Sequence, residues 1–149
     1  MIEVTPGDPR TPGATRLLQA SQALMQSLFP AESNHYLSFD ALCTPQIRFF
    51  TAVEDGMILG VGALAIKDGY GEVKSMFTDE TARGRGIADM VLTRIVEKAR
   101  ALKLPVLRLE TGHSLHAAHR LYHRHGFENR GPFGDYPDDP NSIFMEKPL

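Results

Sequence analysis

Two arginines and two glycines alternate in the segment Arg83-Gly84-Arg85-Gly86. The apolar pattern that follows predicts a helix, and the backbone N–H groups at a helix N-terminus have no partners and carry partial positive charge. Glycine lets an anion approach the backbone closely, and arginine adds charge. The segment therefore suits a phosphate or pyrophosphate group, although a tight turn with exposed arginines has the same local sequence.

Two other phosphate-binding loops match this segment poorly. The chain has no G-x-x-x-x-G-K-S/T run, which a P-loop requires. A dinucleotide fingerprint needs a third glycine where this chain has Asp89, and it normally begins a fold, whereas three strands are expected before this segment. A dinucleotide-dependent oxidoreductase is thus the less favoured alternative, and NAD binding would reveal it.

Histidines and the single cysteine suggest two further kinds of chemistry. His116, His119 and His123 recur at i, i+3 and i+7 of a predicted helix, a spacing that could ligate a transition metal or supply bases near pH 7. No cysteine and no His-Glu-x-x-His arrangement lies nearby, so a solvated helix face is favoured and no metal is expected. Cys43 is expected to be a small buried apolar residue, because it lies far in sequence from the glycine segment.

Composition narrows the classes of function. The 149 residues, 42% hydrophobic and 23% charged, suit one globular domain that spans residues 1–149. A net charge of −2 argues against a general nucleic-acid binder. No apolar run reaches about 20 residues, and the N-terminus lacks the features of a signal peptide, so no membrane partner is expected. One cysteine excludes an intrachain disulfide and favours a cytoplasmic location.

Hydrophobic periodicity predicts the elements that must position these residues. Strands are predicted at residues 2–5, 46–54, 57–67, 72–78, 106–110, 127–129 and 143–147. Helices are predicted at residues 11–29 and 83–102, around residues 38–43, and from an N-cap at Ser114 to residue 125. This order predicts a mixed α/β domain, with antiparallel strands followed by a crossover unit.

Two motifs with fixed spacing occur in the second half of the chain. One is Gln/Arg-x-x-Gly-x-Gly/Ala, and the other is an alanine followed by Leu-Tyr and then Gly-Phe. The residues that fill them are Arg83, Gly86 and Ala88, and then Ala118, Leu121, Tyr122, Gly126 and Phe127. Together with the element order, these motifs resemble the GNAT superfamily of acetyl-CoA-dependent N-acetyltransferases. Residues 131–142 are similar to a bacterial subgroup whose substrates are mostly unassigned.

This resemblance implies the GNAT acyltransferase fold, a mostly antiparallel sheet with two splayed parallel central strands and flanking helices. The pantetheine arm of acetyl-CoA, the co-substrate, would lie between the strands at residues 72–78 and 106–110. Many members have an asparagine near it where this chain has Leu115. The implied coenzyme-binding residues are Met76, Phe77, Thr78, Arg83, Gly84, Arg85, Gly86, Ile87 and Ala88.

The resemblance also implies a reaction, in which a primary amine of a small molecule or peptide attacks the thioester directly in a ternary complex. Glu72, eleven residues before Arg83, corresponds to a catalytic base, and Tyr122 to the acid near the coenzyme sulfur. A solvent-facing Glu72 and a Tyr122 that only fills the core are the alternatives.

The acceptor would lie against the first helix, the loop after it and the C-terminal strands. Its expected contacts are His35, Tyr36, Glu110, Asp135 and Tyr136, with the nearby acids Asp40, Asp138 and Asp139 favouring a cationic amine. The alternative function is a non-catalytic acyl-CoA-binding or regulatory module on the same fold. The resemblance allows either a monomer or a homodimer.

Overall fold

A seven-stranded sheet forms the centre of the structure, a computed structural model that describes residues 1–149. The strands are β1 (Glu3–Pro6), β2 (Ile47–Glu54), β3 (Met57–Lys67), β4 (Tyr70–Thr78), β5 (Val106–Gly112), β6 (Glu128–Arg130) and β7 (Ser142–Pro148). They lie in the order β1-β2-β3-β4-β5-β7-β6. The β4–β5 pair is parallel and every other pair is antiparallel. The predicted sheet with one central parallel pair is confirmed.

Helices cover both faces of this sheet. They are α1 (Pro12–Leu28), α2 (Phe39–Leu42), α3 (Ile87–Ala101) and α4 (His116–Arg124), with short 3-10 helices at Ala31–Ser33 and Glu80–Ala82. Phe49 and Phe50 are successive residues of β2 and point to opposite faces. Phe49 packs in a cluster with α1, and Phe50 packs in a larger cluster with α3 and α4. None of the helices is both long and apolar enough to cross a membrane.

The two parallel strands are paired only where they begin. Their paired positions are Gly71 with Leu107 and Glu72 with Arg108. Beyond them, β4 carries one extra residue relative to β3, and Ser75 at this bulge has a φ of 59°. Because a bulge bends the strand that carries it, β4 turns away from β5 and a gap opens between them.

Two predicted helix starts are wrong. The helix predicted from Arg83 begins at Ile87, because Gly84 and Gly86 have φ values of 81° and 77°, which no helix residue adopts. Ser114 does not cap α4, which begins at His116 without a side-chain cap. The physical reason is that β5 continues to Gly112, paired with Ser142 of β7, so that the turn into the helix comes later.

The expected burial of Cys43 is also wrong, since its side chain is exposed. Cys43 is the C-cap residue of α2, a helix of four residues. Such a short helix turns only one apolar face to the sheet, and Leu42 is the residue of α2 that is buried there.

Candidate active site

The glycine loop, residues 83–86, presents unpaired backbone amides in front of α3. A Cβ added to Gly84 or Gly86 would meet no atom within 4 Å, so space is open beside both. The backbone hydrogen bonds of α3 begin with the N–H of Met90, which donates to the carbonyl of Gly86, and none of the amides of residues 83–89 forms such a bond. Free amides with open space in front of them fit a pyrophosphate group.

The two arginines of the glycine loop have different partners. Arg85 donates to both carboxylate oxygens of Glu54, at 3.0 and 2.7 Å, and this pairing holds the pKa of Glu54 below its usual value. The guanidinium of Arg83 lies 5.7 Å from the centre of the Phe77 ring, a cation–π contact that leaves its charge unneutralised. The charge available to an anion at this loop is therefore mainly that of Arg83.

Asp79 holds the turn that leads into the glycine loop. Its carboxylate accepts hydrogen bonds from the N–H and the hydroxyl of Thr81, both at 3.1 Å, and from Arg16 of α1 at 2.8 Å. The bond from Arg16 is the main reason why the pKa of Asp79 lies below its usual value. Helix α1 is thus tied to the chain just before the loop.

A cavity of about 140 Å³, here called the gap cavity, lies where β4 and β5 diverge. Met76, Glu110, Leu115 and Tyr122 lie on its walls. Burial is the main reason why the pKa values of Glu110 and Tyr122 lie above their usual values, and the charge of Glu110 raises that of Tyr122 further. The hydroxyl of Ser142 donates to Glu110 at 2.8 Å. Tyr122 therefore keeps its proton at neutral pH.

A second cavity of about 480 Å³, here called the loop cavity, lies beside the first. Tyr70 and Glu72 of β4 line it together with Asp135 and Tyr136, which belong to the loop between β6 and β7. Three residues line both cavities, which therefore adjoin: His35, Tyr36 and Lys74. The five predicted substrate-binding residues thus all lie around these two cavities.

The carboxylate of Glu72 is enclosed by two partners. Its side chain is only 5% exposed, at the paired end of β4 opposite Arg108, so it does not face solvent. The hydroxyl of Tyr136 donates to it, and the Nζ atom of Lys74 lies 3.5 Å from it. Lys74 also donates to the hydroxyl oxygen of Tyr136 at 2.8 Å and to the carbonyl of His35 at 2.9 Å.

Lys74 is not among the predicted site residues. A signal for it exists in the sequence, because Glu72 and Lys74 lie two positions apart on one strand, and such residues point to the same face. Opposite charges at that spacing on a half-buried strand indicate an ion pair.

Comparison with known families agrees with this geometry. The sequence model of the Acetyltransferase (GNAT) family matches residues 14–127. The chain belongs to this family. GNAT enzymes transfer an acetyl group from acetyl-CoA to an amine acceptor, so the predicted superfamily, acetyl transfer and coenzyme are confirmed.

Three relatives cover nearly the same length. An IAA acetyltransferase from Azospirillum brasilense is 44% identical, over 99% of this chain and 98% of its own. The uncharacterized N-acetyltransferase YsnE of Bacillus subtilis strain 168 is 41% identical, over 84% of this chain and 85% of its own. The solved structure of a Klebsiella pneumoniae protein, described as an acyl-CoA N-acyltransferase, has a TM-score of 0.84 and 32% identity, and covers 100% of this chain and 98% of its own.

In this GNAT chain, the predicted coenzyme-binding residues of β4 lie beside the gap. Met76 lines the gap cavity, and Phe77 and Thr78 pair with β3 on their other side. Beyond Glu72, the edge of β4 that faces β5 has no strand partner. The backbone of this segment is therefore available to a ligand that lies in the gap.

The loop after α1 and the loop between β6 and β7 both line the cavities, and hydrogen bonds and ring contacts join them to each other. The hydroxyl of Ser33 donates to Asp139 and accepts from Asn141 at 3.3 Å, and the rings of His35 and Tyr136 meet edge to face at 5.1 Å. The Ser33 bond is the main reason why the pKa of Asp139 lies below its usual value. Asp139 thus holds the loops together.

Two of the other acids expected near the acceptor, Asp40 and Asp138, line neither cavity. Asp40 forms an ion pair with Arg10 and lines neither cavity. Asp138 is exposed and also lies outside both, so that Asp135 is the acid of these loops that faces the loop cavity.

Two of the three histidines of α4 contact backbone carbonyls, and the third, His116, packs edge to face on the ring of His119 with 5.6 Å between the ring centres. The Nε2 atom of His119 lies 2.8 Å from the carbonyl of Gly112, and the Nδ1 atom of His123 lies 3.0 Å from that of Phe127. No group of three or more side chains in the structure is arranged to hold a metal ion. His119 and His123 therefore connect α4 to the end of β5 and to Phe127, the residue just before β6.

Proposed function

We propose that this GNAT enzyme transfers the acetyl group of acetyl-CoA to the primary amine of a small molecule or peptide, held in the loop cavity. The observation that supports this most directly is that the loop cavity and the gap cavity share His35, Tyr36 and Lys74. An acceptor in one cavity would lie beside a thioester in the other, as direct attack in a ternary complex requires.

The coenzyme would be held by residues already described. The free amides of the glycine loop and the charge of Arg83 suit its pyrophosphate, and the unpaired edge at Met76, Phe77 and Thr78 suits the amides of its pantetheine arm. Arg85 is held by Glu54 and contributes less charge to this site.

Glu72 is proposed as the base. The acceptor ammonium must lose a proton before its nitrogen can attack the thioester carbonyl. Glu72 lies on the wall of the loop cavity, and as a carboxylate it can take that proton. The C–N bond then forms, the C–S bond breaks, and the nitrogen passes its second proton to the departing sulfur. The products are a neutral amide, the coenzyme A thiol and a protonated Glu72.

Tyr122 is proposed to assist the departure of the thiolate. Because burial raises the pKa of Tyr122 above that of a free phenol, it is a weaker acid than a thiol, whose usual pKa is about 8.5. It therefore acts as a hydrogen-bond donor to the sulfur as negative charge develops there, rather than by giving up its proton completely.

The acceptor is proposed from the lining of the loop cavity. The rings of His35, Tyr36, Tyr70 and Tyr136 surround it. Its lining also carries three acids, Asp68, Glu72 and Asp135, against two lysines, Lys67 and Lys74, so negative charge prevails. These groups suit a cationic amine attached to an aromatic ring, because aromatic faces and carboxylates both attract cations. The name of the Azospirillum relative makes IAA a further compound to test.

Release of the coenzyme A thiol, measured with a thiol reagent, tests the proposal. We expect acetyl-CoA to release thiol in the presence of phenethylamine or tryptamine, and mass spectrometry to find the acetylated amine. Binding of acetyl-CoA without thiol release across a broad amine panel that also includes spermidine and lysine peptides would favour the non-catalytic module instead.

A further inference from the structure

We propose that Tyr136 contacts the acceptor amine and passes its proton to Glu72, so that Glu72 acts through this tyrosine. The inference rests on the proposed transfer to an amine. It starts from the chain of hydrogen bonds Lys74–Tyr136–Glu72 on the wall of the loop cavity.

The direction of this chain is fixed by Lys74. An ammonium group has three donors and no acceptor, so the Nζ atom of Lys74 can only donate to the hydroxyl oxygen of Tyr136, at 2.8 Å. The hydroxyl proton of Tyr136 must then point elsewhere, and it points to Glu72. One lone pair of the Tyr136 oxygen remains, and an amine in the loop cavity could donate to it.

The ring of Tyr136 is held in place by its neighbours. It packs edge to face against Phe133 at 5.1 Å, Phe144 at 5.5 Å and His35 at 5.1 Å between ring centres. A hydroxyl held this way keeps its position between the cavity and Glu72, whose own side chain is only 5% exposed.

The transfer balances in protons. The acceptor ammonium gives a proton to the Tyr136 oxygen while the Tyr136 hydroxyl gives its own to Glu72. The products are a neutral amine, a neutral Glu72 and an unchanged tyrosine. No phenolate has to form, which matters because burial and the charge of Glu72 raise the pKa of Tyr136.

Tyr136→Phe tests the relay, since it keeps the ring and removes only the hydroxyl. With phenethylamine as acceptor, we expect kcat/KM for the amine to fall about a hundredfold at pH 7, within the usual range for general base catalysis. The loss should shrink as pH rises toward the amine pKa of about 10, because more amine is then already neutral. Affinity for acetyl-CoA should change little, whereas the melting temperature should fall somewhat, because buried Glu72 loses a hydrogen-bond donor.

A double-variant cycle separates a relay from two independent effects. Glu72→Gln should cost about as much as Tyr136→Phe, and the double variant should be no slower than the slower single variant. Tyr70→Phe is the matched comparison, because it removes a hydroxyl from the same cavity but outside the hydrogen-bond chain. Tyr70→Phe can raise the acceptor KM, but any loss in kcat/KM should be the same at every pH, unlike the loss in Tyr136→Phe.

A measurement on the wild-type enzyme is independent of whether the variants fold. Two protons that move in one step give a curved dependence of the rate on the deuterium content of the solvent, whereas one proton gives a straight line. A straight line would overturn the relay, as would a Tyr136→Phe rate within about twofold of wild type, or losses that multiply in the double variant. Absence of thiol release by wild type with every amine would instead reject the proposed acetyl transfer itself.

Discussion

The guanidinium of Arg85 holds both carboxylate oxygens of Glu54, at 3.0 and 2.7 Å. This pair joins the glycine loop to the end of β2 and neutralises one of the two arginine charges at the loop. Arg83, two residues earlier, contacts the ring of Phe77 instead and keeps its charge. The two arginines are alike in sequence but are not expected to contribute equally to coenzyme binding.

Arg83→Ala is therefore predicted to weaken acetyl-CoA binding more than Arg85→Ala. Loss of a hydrogen bond to a charged group costs about 1.5–3 kcal/mol, so we expect the Kd to rise roughly tenfold or more for Arg83→Ala and only a fewfold for Arg85→Ala. Isothermal titration at low salt measures both. Equal effects would show that Arg85 exchanges Glu54 for the coenzyme.

Gly86→Glu is predicted to abolish coenzyme binding, because a carboxylate would enter the space in front of the free amides. Gly56→Glu is the matched control, since Gly56 has a φ of 78° and equally open space, but lies in the β2–β3 hairpin. Both variants should lose similar stability, of about 1–2 kcal/mol, from a side chain in the left-handed region. Thermal shifts with and without acetyl-CoA compare them. Unchanged affinity in Gly86→Glu would contradict the assignment of the loop.

Asp135→Asn is predicted to raise the acceptor KM roughly twofold to tenfold at low salt, and to flatten its dependence on salt. The reason is that Asp135 lies on the wall of the loop cavity, where its charge attracts a cationic amine. Asp138→Asn, on the same loop but outside the cavity, is the control and should leave the acceptor KM as it is. If the acetyl-CoA KM rose equally in Asp135→Asn, the residue would have a structural role.

Glu110→Gln is predicted to stabilise the protein at neutral pH. Burial raises the pKa of Glu110 in the folded state, so its contribution to stability is fully present below the usual carboxyl pKa of about 4.3 and is lost as pH rises through the folded value. A neutral amide avoids that loss and can still accept from Ser142. The melting temperature should thus increase at pH 7 and approach that of wild type below about pH 4. An increase that is independent of pH would point to packing.

Much of the sheet could be predicted because its strands carry local signals. Asp55-Gly56 marks the β2–β3 hairpin, and both residues adopt the positive φ values of such a turn. The glycines at 84 and 86 carry a signal of the same kind, but the apolar period alone places the helix start at Arg83, ahead of its true start at Ile87. Each of these predictions depends on residues within a short stretch of chain, where residue type limits the backbone.

The contacts of the candidate site depend on distant residues and could not be predicted in the same way. The Lys74–Tyr136 bond joins positions 62 residues apart, and the Ser33–Asp139 bond joins positions 106 apart. Both form only when the loop between β6 and β7 folds back over the sheet. The charge of Asp139 gave no indication that it would bind a serine rather than face a substrate.

The gap between β4 and β5 depends on the number of residues in β4 as well as on their types, because β4 has one extra residue. Between Lys74 and Phe77, the strand has one residue more than β3 opposite it. A chain shortened by one residue there would restore regular pairing with β3 and remove the bend that carries β4 away from β5. Related sequences that keep every side chain of the site but lack that residue should therefore lose the coenzyme. Deletion scanning would detect this requirement, whereas replacing each residue in turn would not.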